Sequence, residues 1–152
     1  MINRFEAFTA SVVTLNRCLQ KVKDMEMKKF GLRAAHTMCL YYLGQHEEGL
    51  TSSELTKLCR EDKAAISRSV SLLIEKGFVC TGEMNTRRAY RTKLYLTGEG
   101  KSLISKINAR IECVLSAAGE GLSNENREIF YETMDLIAGN LQRYMDSGGE
   151  ET

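Results

Sequence analysis

Two helix-start signals lie close together in the middle of this chain, and they constrain its fold more than any other feature. Thr51 and Glu54 are spaced as a capping box, in which the threonine hydroxyl accepts from the amide at position 54 and the glutamate reaches back. Asp62 is a favourable N-cap for a second helix over residues 63–76. The pattern therefore predicts two short helices joined by a tight turn, as in a helix-turn-helix.

The second of these helices has an outward face that is small, polar and cationic. Its apolar side, which is expected to pack on the domain, consists of Ile66, Val70, Leu73 and Ile74. The opposite side consists of Lys63, Ala64, Ser67, Arg68 and Ser71. A solvated face commonly carries several glutamates, whereas here only Glu75 occurs, at the far end. Small residues admit a helix to the major groove, and arginine bonds guanine edges in bidentate fashion, so this face is predicted to read DNA.

A basic hairpin is predicted to follow. Residues 78–80 and 90–96 have the pattern of short strands, and a turn-rich segment separates them. The cations predicted to serve the minor groove and the phosphate backbone are Arg87, Arg88, Arg91 and Lys93. Ser52 and Ser53, near the start of the first short helix, are candidate phosphate contacts, although exposed capping alone would explain them.

The charge of the chain is concentrated in this central region. The whole sequence of 152 residues has a net charge of +1, but residues 57–93 contain nine bases against four acids. The remainder is therefore acidic overall. A local basic segment between neutral or acidic flanks indicates that one face meets a polyanion, most simply duplex DNA.

Both ends of the chain are predicted to form long helices. Apolar residues recur at intervals of three and four from Phe5 to Met25, and again from Phe130 to Tyr144. The N-terminal helix should span about residues 3–29, and the C-terminal helices about 98–146. A long helix with a narrow apolar stripe usually requires a partner helix, so these segments are predicted to form a dimerisation module.

Four motifs together resemble the successive signatures of MarR-type regulators. They are Thr51-x-x-Glu54-Leu55, Ile66-Ser67-Arg68-x-Val70, Leu73-Ile74-Glu75-Lys76-Gly77-Phe78-Val79 and Leu96-Thr97-x-Glu99-Gly100. The resemblance implies a single domain over residues 1–152, mainly α with a small β-hairpin, with the winged helix-turn-helix at about 33–97. It further implies a homodimer on a palindromic operator, usually a repressor released by a small phenolic or lipophilic effector or by an oxidant.

The tip of the predicted hairpin, which forms the wing of a winged helix-turn-helix, departs from the sequence pattern of that family. Many members carry an acid that orients the wing-tip arginine, whereas residues 85–90 here contain no acid. The wing is therefore predicted to contact DNA as a region, without one arginine singled out.

Other classes of function find less support. Cys18 is a possible redox sensor because Arg17 and Lys21 lie near it, although a thiol packed in the helix seam would look the same. We expect no cofactor, no metal site and no enzyme activity, since the sequence contains no phosphate loop and no nucleophile motif. We also expect a cytoplasmic protein without membrane contact. The alternative is a winged-helix module that makes protein contacts without binding DNA.

Overall fold

The computed structural model describes residues 3–82 and 92–148, which form six helices and three strands. In chain order these elements are α1 (Arg4–Lys28), α2 (Ala34–Gln45), β1 (Leu50–Thr51), α3 (Ser52–Cys59), α4 (Lys63–Glu75), β2 (Val79–Thr81), β3 (Lys93–Leu96), α5 (Gly98–Ala118) and α6 (Asn124–Asp146). The chain divides into two compact units, residues 1–110 and 111–152, so that α5 begins in the first unit and ends in the second.

The helix boundaries follow the predicted caps. The Asp62 carboxylate accepts from the amide of Ala65 at 2.8 Å, and the Ser123 hydroxyl accepts from the amide of Asn126 at 3.1 Å. Gly31 and Gly77, just beyond α1 and α4, have the positive φ angles of 67° and 75° that end a helix. Each cap supplies a partner to a backbone group that the helix leaves unpaired.

The start of α2 is capped by two side chains, Asp24 of α1 and His36 of α2 itself. The amide of Ala34 donates to the carboxylate of Asp24 in α1 at 2.8 Å, and the amide of Arg33 donates to Nδ1 of His36 at 2.9 Å. Glu26 then joins α1 to α5, since its carboxylate pairs with Arg110 at 3.0 Å. These contacts fix α1 to the first unit by polar groups as well as by apolar packing.

The core of the first unit lies around α2, which packs against α1, α3, α4 and β3. Its largest fully buried side chains are Met27, Leu40, Leu55, Ile66, Leu73, Val79 and Cys39. One expectation for this core is wrong. Ile74 is exposed at the edge of the α4 stripe, whereas Ser69 is buried together with Ile66, Val70 and Leu73.

The predicted hairpin is confirmed as an antiparallel pair, β2 and β3, with Val79 opposite Leu96 and Thr81 opposite Leu94. A third strand, β1, was not predicted. It pairs with the other edge of β3, Leu50 opposite Leu94, so the sheet order is β1-β3-β2. The turn before β1 depends on Gly49, which has φ +77° and packs so close to Tyr95 that a Cβ would overlap the ring.

In the second unit, α6 begins after the turn at Gly121 and has no fully buried residue. No helix within the described parts of the chain is both long and apolar enough to cross a membrane.

Candidate nucleic-acid interface

The helices α3 and α4 pack against each other and are joined by a short turn that contains a left-handed residue. Arg60, the residue after α3, has φ 55° and ψ 39°, the only left-handed non-glycine residue among those described. Its amide donates to the carbonyl oxygen of Lys57 at 3.3 Å, and the amide of Glu61 donates to that of Thr56 at 3.3 Å. The chain then enters α4 at its Asp62 cap. A non-glycine residue in this conformation is maintained only where its surroundings fix it, so the turn geometry is well defined.

The start of α3 is closed by the predicted capping box. The Thr51 hydroxyl accepts from the Glu54 amide at 3.2 Å, and the Glu54 carboxylate accepts from the Thr51 amide at 2.8 Å and from its hydroxyl at 2.9 Å. The hydrogen bonds from the backbone amide and then the hydroxyl of Thr51 hold the pKa of Glu54 below its usual range. Ser52 and Ser53, in the first turn, are exposed. Their backbone amides are among the four that a helix start leaves without internal partners.

The face of α4 that was predicted to point outward is exposed to solvent. Its five residues are all exposed: Lys63, Ala64, Ser67, Arg68 and Ser71. The inward face is closed by the buried side chains of Ile66, Ser69, Val70 and Leu73. The Arg68 side chain is exposed, and the residues beside it on this face, Ala64, Ser67 and Ser71, are small. Its guanidinium group is therefore accessible to a ligand. The guanidinium fork matches both phosphate oxygens and guanine edges.

A cleft of about 900 Å³ lies between the start of α3, one side of α4 and the sheet. It is rich in hydroxyl groups, which come from Ser52, Ser53, Thr56, Thr81 and Thr92. Lys63 is its cation, and among the described residues that line it none is acidic. Sequence analysis did not find Thr56, Thr81 or Thr92. Thr56 lies on α3, Thr81 ends β2 and Thr92 immediately precedes β3, so the tertiary packing of α3 against the sheet brings them together.

Of the four basic residues predicted to contact DNA from the hairpin (the wing), the structure describes only Lys93. Arg87, Arg88 and Arg91 lie outside the described residues. Lys93 is half-buried in β3, and its ammonium donates to the carbonyl oxygen of Glu48 at 2.9 Å. That bond ties the central strand to the turn before β1. An ammonium has three donors, so Lys93 retains two for a phosphate.

The other candidate residues are dispersed. Cys18 is exposed on α1. His36 is buried, whereas His46 pairs with Glu48 at 2.9 Å. Over residues 3–82 and 92–148, no three metal-binding side chains of the histidine, cysteine or acidic types cluster together.

Comparison with known proteins agrees with this geometry. Residues 30–88, which include the whole helix pair, match the model of the MarR family. This central part of the chain is therefore similar to the MarR family. Members of this family are transcription regulators rather than enzymes. No curated protein matches the sequence significantly.

Solved structures of MarR-type regulators share the fold over nearly the whole chain. Staphylococcus aureus MepR in complex with DNA superposes with a TM-score of 0.80 at 16% identity, covering 91% of this chain and 99% of that one. A regulator of the family from Listeria monocytogenes, complexed with 26mer DNA, gives 0.78 at 18%, covering 95% and 97%. Staphylococcus aureus MarR with salicylate and kanamycin gives 0.78 at 18%, covering 91% and 92%. At these identities the likeness establishes a mainly helical winged helix-turn-helix fold.

Proposed function

We propose that this protein is a homodimeric, sequence-specific DNA-binding repressor that acts in the cytoplasm. The observation that carries the proposal is the exposed α4 face, on which Lys63, Ser67, Arg68 and Ser71 are presented by a rigid, capped helix pair. In this proposal α4 enters the major groove. The wing with Arg87, Arg88, Arg91 and Lys93 contacts the minor groove and backbone, and Ser52 and Ser53 contact phosphates.

The hydroxyl-lined cleft supports the same orientation. Phosphate groups of DNA accept hydrogen bonds from serine and threonine side chains and from helix N-termini. The start of α3, Lys63 and the hydroxyls of Thr81 and Thr92 all border this cleft. A DNA strand whose phosphate groups follow this cleft would leave the outward face of α4 directed toward the bases.

The dimer is supported by the terminal helices. The apolar side chains of α1 that remain exposed in the single chain are Phe5, Phe8, Val12, Leu15, Leu19 and Met25. On α6 the exposed large apolar side chains are Ile129, Phe130, Tyr131, Leu136, Leu141, Tyr144 and Met145. Extended apolar stripes of this kind mark an interaction surface. We propose that α1 (about 3–29) and the helices over 98–146 of two copies bury them mutually, in one domain per chain with the winged helix-turn-helix at 33–97.

A two-fold dimer would present two recognition helices to a palindromic operator, because the symmetry of the protein is mirrored in its site. That S. aureus MepR and the L. monocytogenes regulator, which share this fold, were solved in complex with DNA supports the DNA-binding part of the proposal.

A cavity in the first unit is suited to a small effector. It has a volume of about 280 Å³, and its lining combines the apolar side chains of Leu43, Leu96 and Ile104 and the Tyr95 ring with the polar side chains of His46, Glu47, Lys101, Ser105 and Asn108. Oδ1 of Asn108 is buried and has no hydrogen-bond partner among the described residues. A phenolic hydroxyl would donate to that oxygen. We propose that such a ligand releases the repressor from DNA.

The test is fluorescence anisotropy with the DNA upstream of the protein's own gene, against a scrambled duplex, across a salt series. Selective binding whose log K falls linearly with log salt is expected, because phosphate contacts release counterions. Absence of binding to either duplex at low salt would contradict the proposal and favour a module for protein contacts. Addition of phenolic compounds to the complex then tests the cavity, with Asn108→Leu as the variant expected to lose the response.

A further inference from the structure

Two cysteines face each other between α2 and the end of α3. Their Sγ atoms are 3.9 Å apart. Cys39 is fully buried in the core, and Cys59, the last residue of α3, is partly exposed. The other three cysteines are all exposed and lie elsewhere, on α1, β2 and α5. The pair thus combines a protected thiol with one that solvent can reach.

We propose that Cys39 and Cys59 are a reversible oxidation site, at which hydrogen peroxide forms an intrachain disulfide that weakens DNA binding. The disulfide stands on the geometry alone. Its effect on DNA binding rests on the proposed function.

The chemistry balances in two steps. The Cys59 thiolate attacks one peroxide oxygen, the O–O bond breaks, and after protonation a sulfenic acid and one water are formed. The Cys39 sulfur then attacks the Cys59 sulfur, the S–S bond forms, the S–O bond breaks, and a second water leaves with the Cys39 proton. Two thiols are oxidised by two electrons and one peroxide is reduced. A dithiol in the solvent reverses the reaction by thiol–disulfide exchange.

The environment favours Cys59 as the residue that reacts first. The hydrogen bond between the two sulfur atoms lowers the pKa of Cys59, while burial and the nearby Glu61 carboxylate act in the opposite direction. The same hydrogen bond, burial and Glu61 raise the pKa of Cys39. The exposed partner is therefore the better thiolate, and the buried partner resolves the sulfenic acid.

Formation of the Cys39–Cys59 disulfide would displace the end of α3, the helix that precedes α4. A disulfide requires about 2.05 Å between the sulfur atoms, so the 3.9 Å gap must close. Cys59 is followed at once by the left-handed Arg60 and the Asp62 cap of α4. Because only Arg60, Glu61 and Asp62 separate Cys59 from α4, a movement of Cys59 toward α2 would pull on the start of α4. A small shift of a recognition helix is sufficient to misalign its contacts with the bases.

The experiment uses the full chain in which Cys18, Cys80 and Cys113 are replaced by Ser, which leaves only the pair. After hydrogen peroxide and alkylation, intact mass and peptide mapping should show a loss of about 2 Da and a Cys39–Cys59 link that dithiothreitol reverses. Operator affinity of the oxidised protein should fall on the order of tenfold and recover on reduction. A further Cys59→Ser replacement, with its folding verified by circular dichroism, should abolish both effects.

Two alkylated thiols after peroxide, or a Cys59 sulfinic acid without the link, would overturn the proposal. A complete link with unchanged operator affinity would overturn its regulatory part. If the reduced protein binds no duplex at all, the proposed function fails, but the link is still tested by mass. Non-reducing electrophoresis separates an intrachain bond from one between two copies.

Discussion

The carbonyl oxygen of Phe78 lies against the α-carbon of Gly100, where no side chain fits. A Cβ at position 100 would overlap this oxygen. The same carbonyl accepts from the amide of Thr97 at 3.0 Å, and the Thr97 hydroxyl donates to the carbonyl oxygen of Gly77 at 2.6 Å. The motif Leu96-Thr97-x-Glu99-Gly100 therefore joins the start of α5 to the segment that follows α4.

Replacement of Gly100 by Ala should destabilise the fold by roughly 1–3 kcal/mol or more, because the obstacle is backbone and cannot rotate away. The measurement is the free energy of unfolding in urea. Gly98→Ala is the matched control, since a Cβ there would meet nothing within 4 Å in the same helix. Equal stability of the two variants would show that the close approach carries no energetic weight.

Replacement of Arg68 by Ala should relax base preference and cost about 1–3 kcal/mol of operator binding, if the guanidinium contacts a base as proposed. Anisotropy on the operator and on single-base variants measures both effects. Arg68→Lys keeps the charge but loses the bidentate fork. It should therefore resemble Arg68→Ala in its base preference, whereas a lysine variant with native selectivity would identify Arg68 as a phosphate contact.

Replacement of Leu141 by Glu should dissociate the proposed dimer, because it places a charge in the apolar stripe of α6, where Leu141 is 51% exposed in the single chain. Sedimentation equilibrium should show a shift from dimer toward monomer, with loss of operator binding. Gln142→Glu adds the same charge at the neighbouring exposed position and should leave the dimer intact. A wild-type chain that is monomeric at micromolar concentration would contradict the dimer itself.

Stability should fall as the pH decreases from about 7 toward 5, partly because of His36. Burial, and to a lesser extent the charges of Arg33 and Lys76, lower the pKa of His36 from its usual 6.5, against the opposing effect of its hydrogen bond to the Arg33 backbone. The unfolded chain then binds a proton that the folded chain does not. The contribution of neutral His36 is thus fully present above pH 6.5 and is lost as the pH falls toward the folded pKa.

The unfolding midpoint measured across that pH range should therefore slope less in His36→Gln than in the wild type. His36→Gln also removes an acceptor from the Arg33 amide, so its absolute stability is lower, and the comparison concerns the slope alone. Identical slopes would show that other groups account for the acid sensitivity.

The helix pair and its caps could be predicted from sequence because they depend on near neighbours. Thr51 and Glu54, or Asp62 and Ala65, are three residues apart, so their hydrogen bonds exist in any chain that is locally helical. The outward face of α4 followed from the 3.6-residue period. Ile74 was misplaced because the period does not say how wide the buried stripe is, and that width depends on what packs against it.

The sequence by itself thus determined the order of the six helices and of β2 and β3, the caps of α3 and α4, and the residues on the outward face of α4. Tertiary structure alone decided that β1 pairs with β3, that Thr81 and Thr92 share a cleft with Ser52 and Thr56 of α3, that Lys93 bonds the Glu48 carbonyl, and that Cys39 faces Cys59. Those contacts join residues that are distant along the chain. Local propensity does not encode such distances, since they are set by the packing of α2, α3 and the sheet around one core.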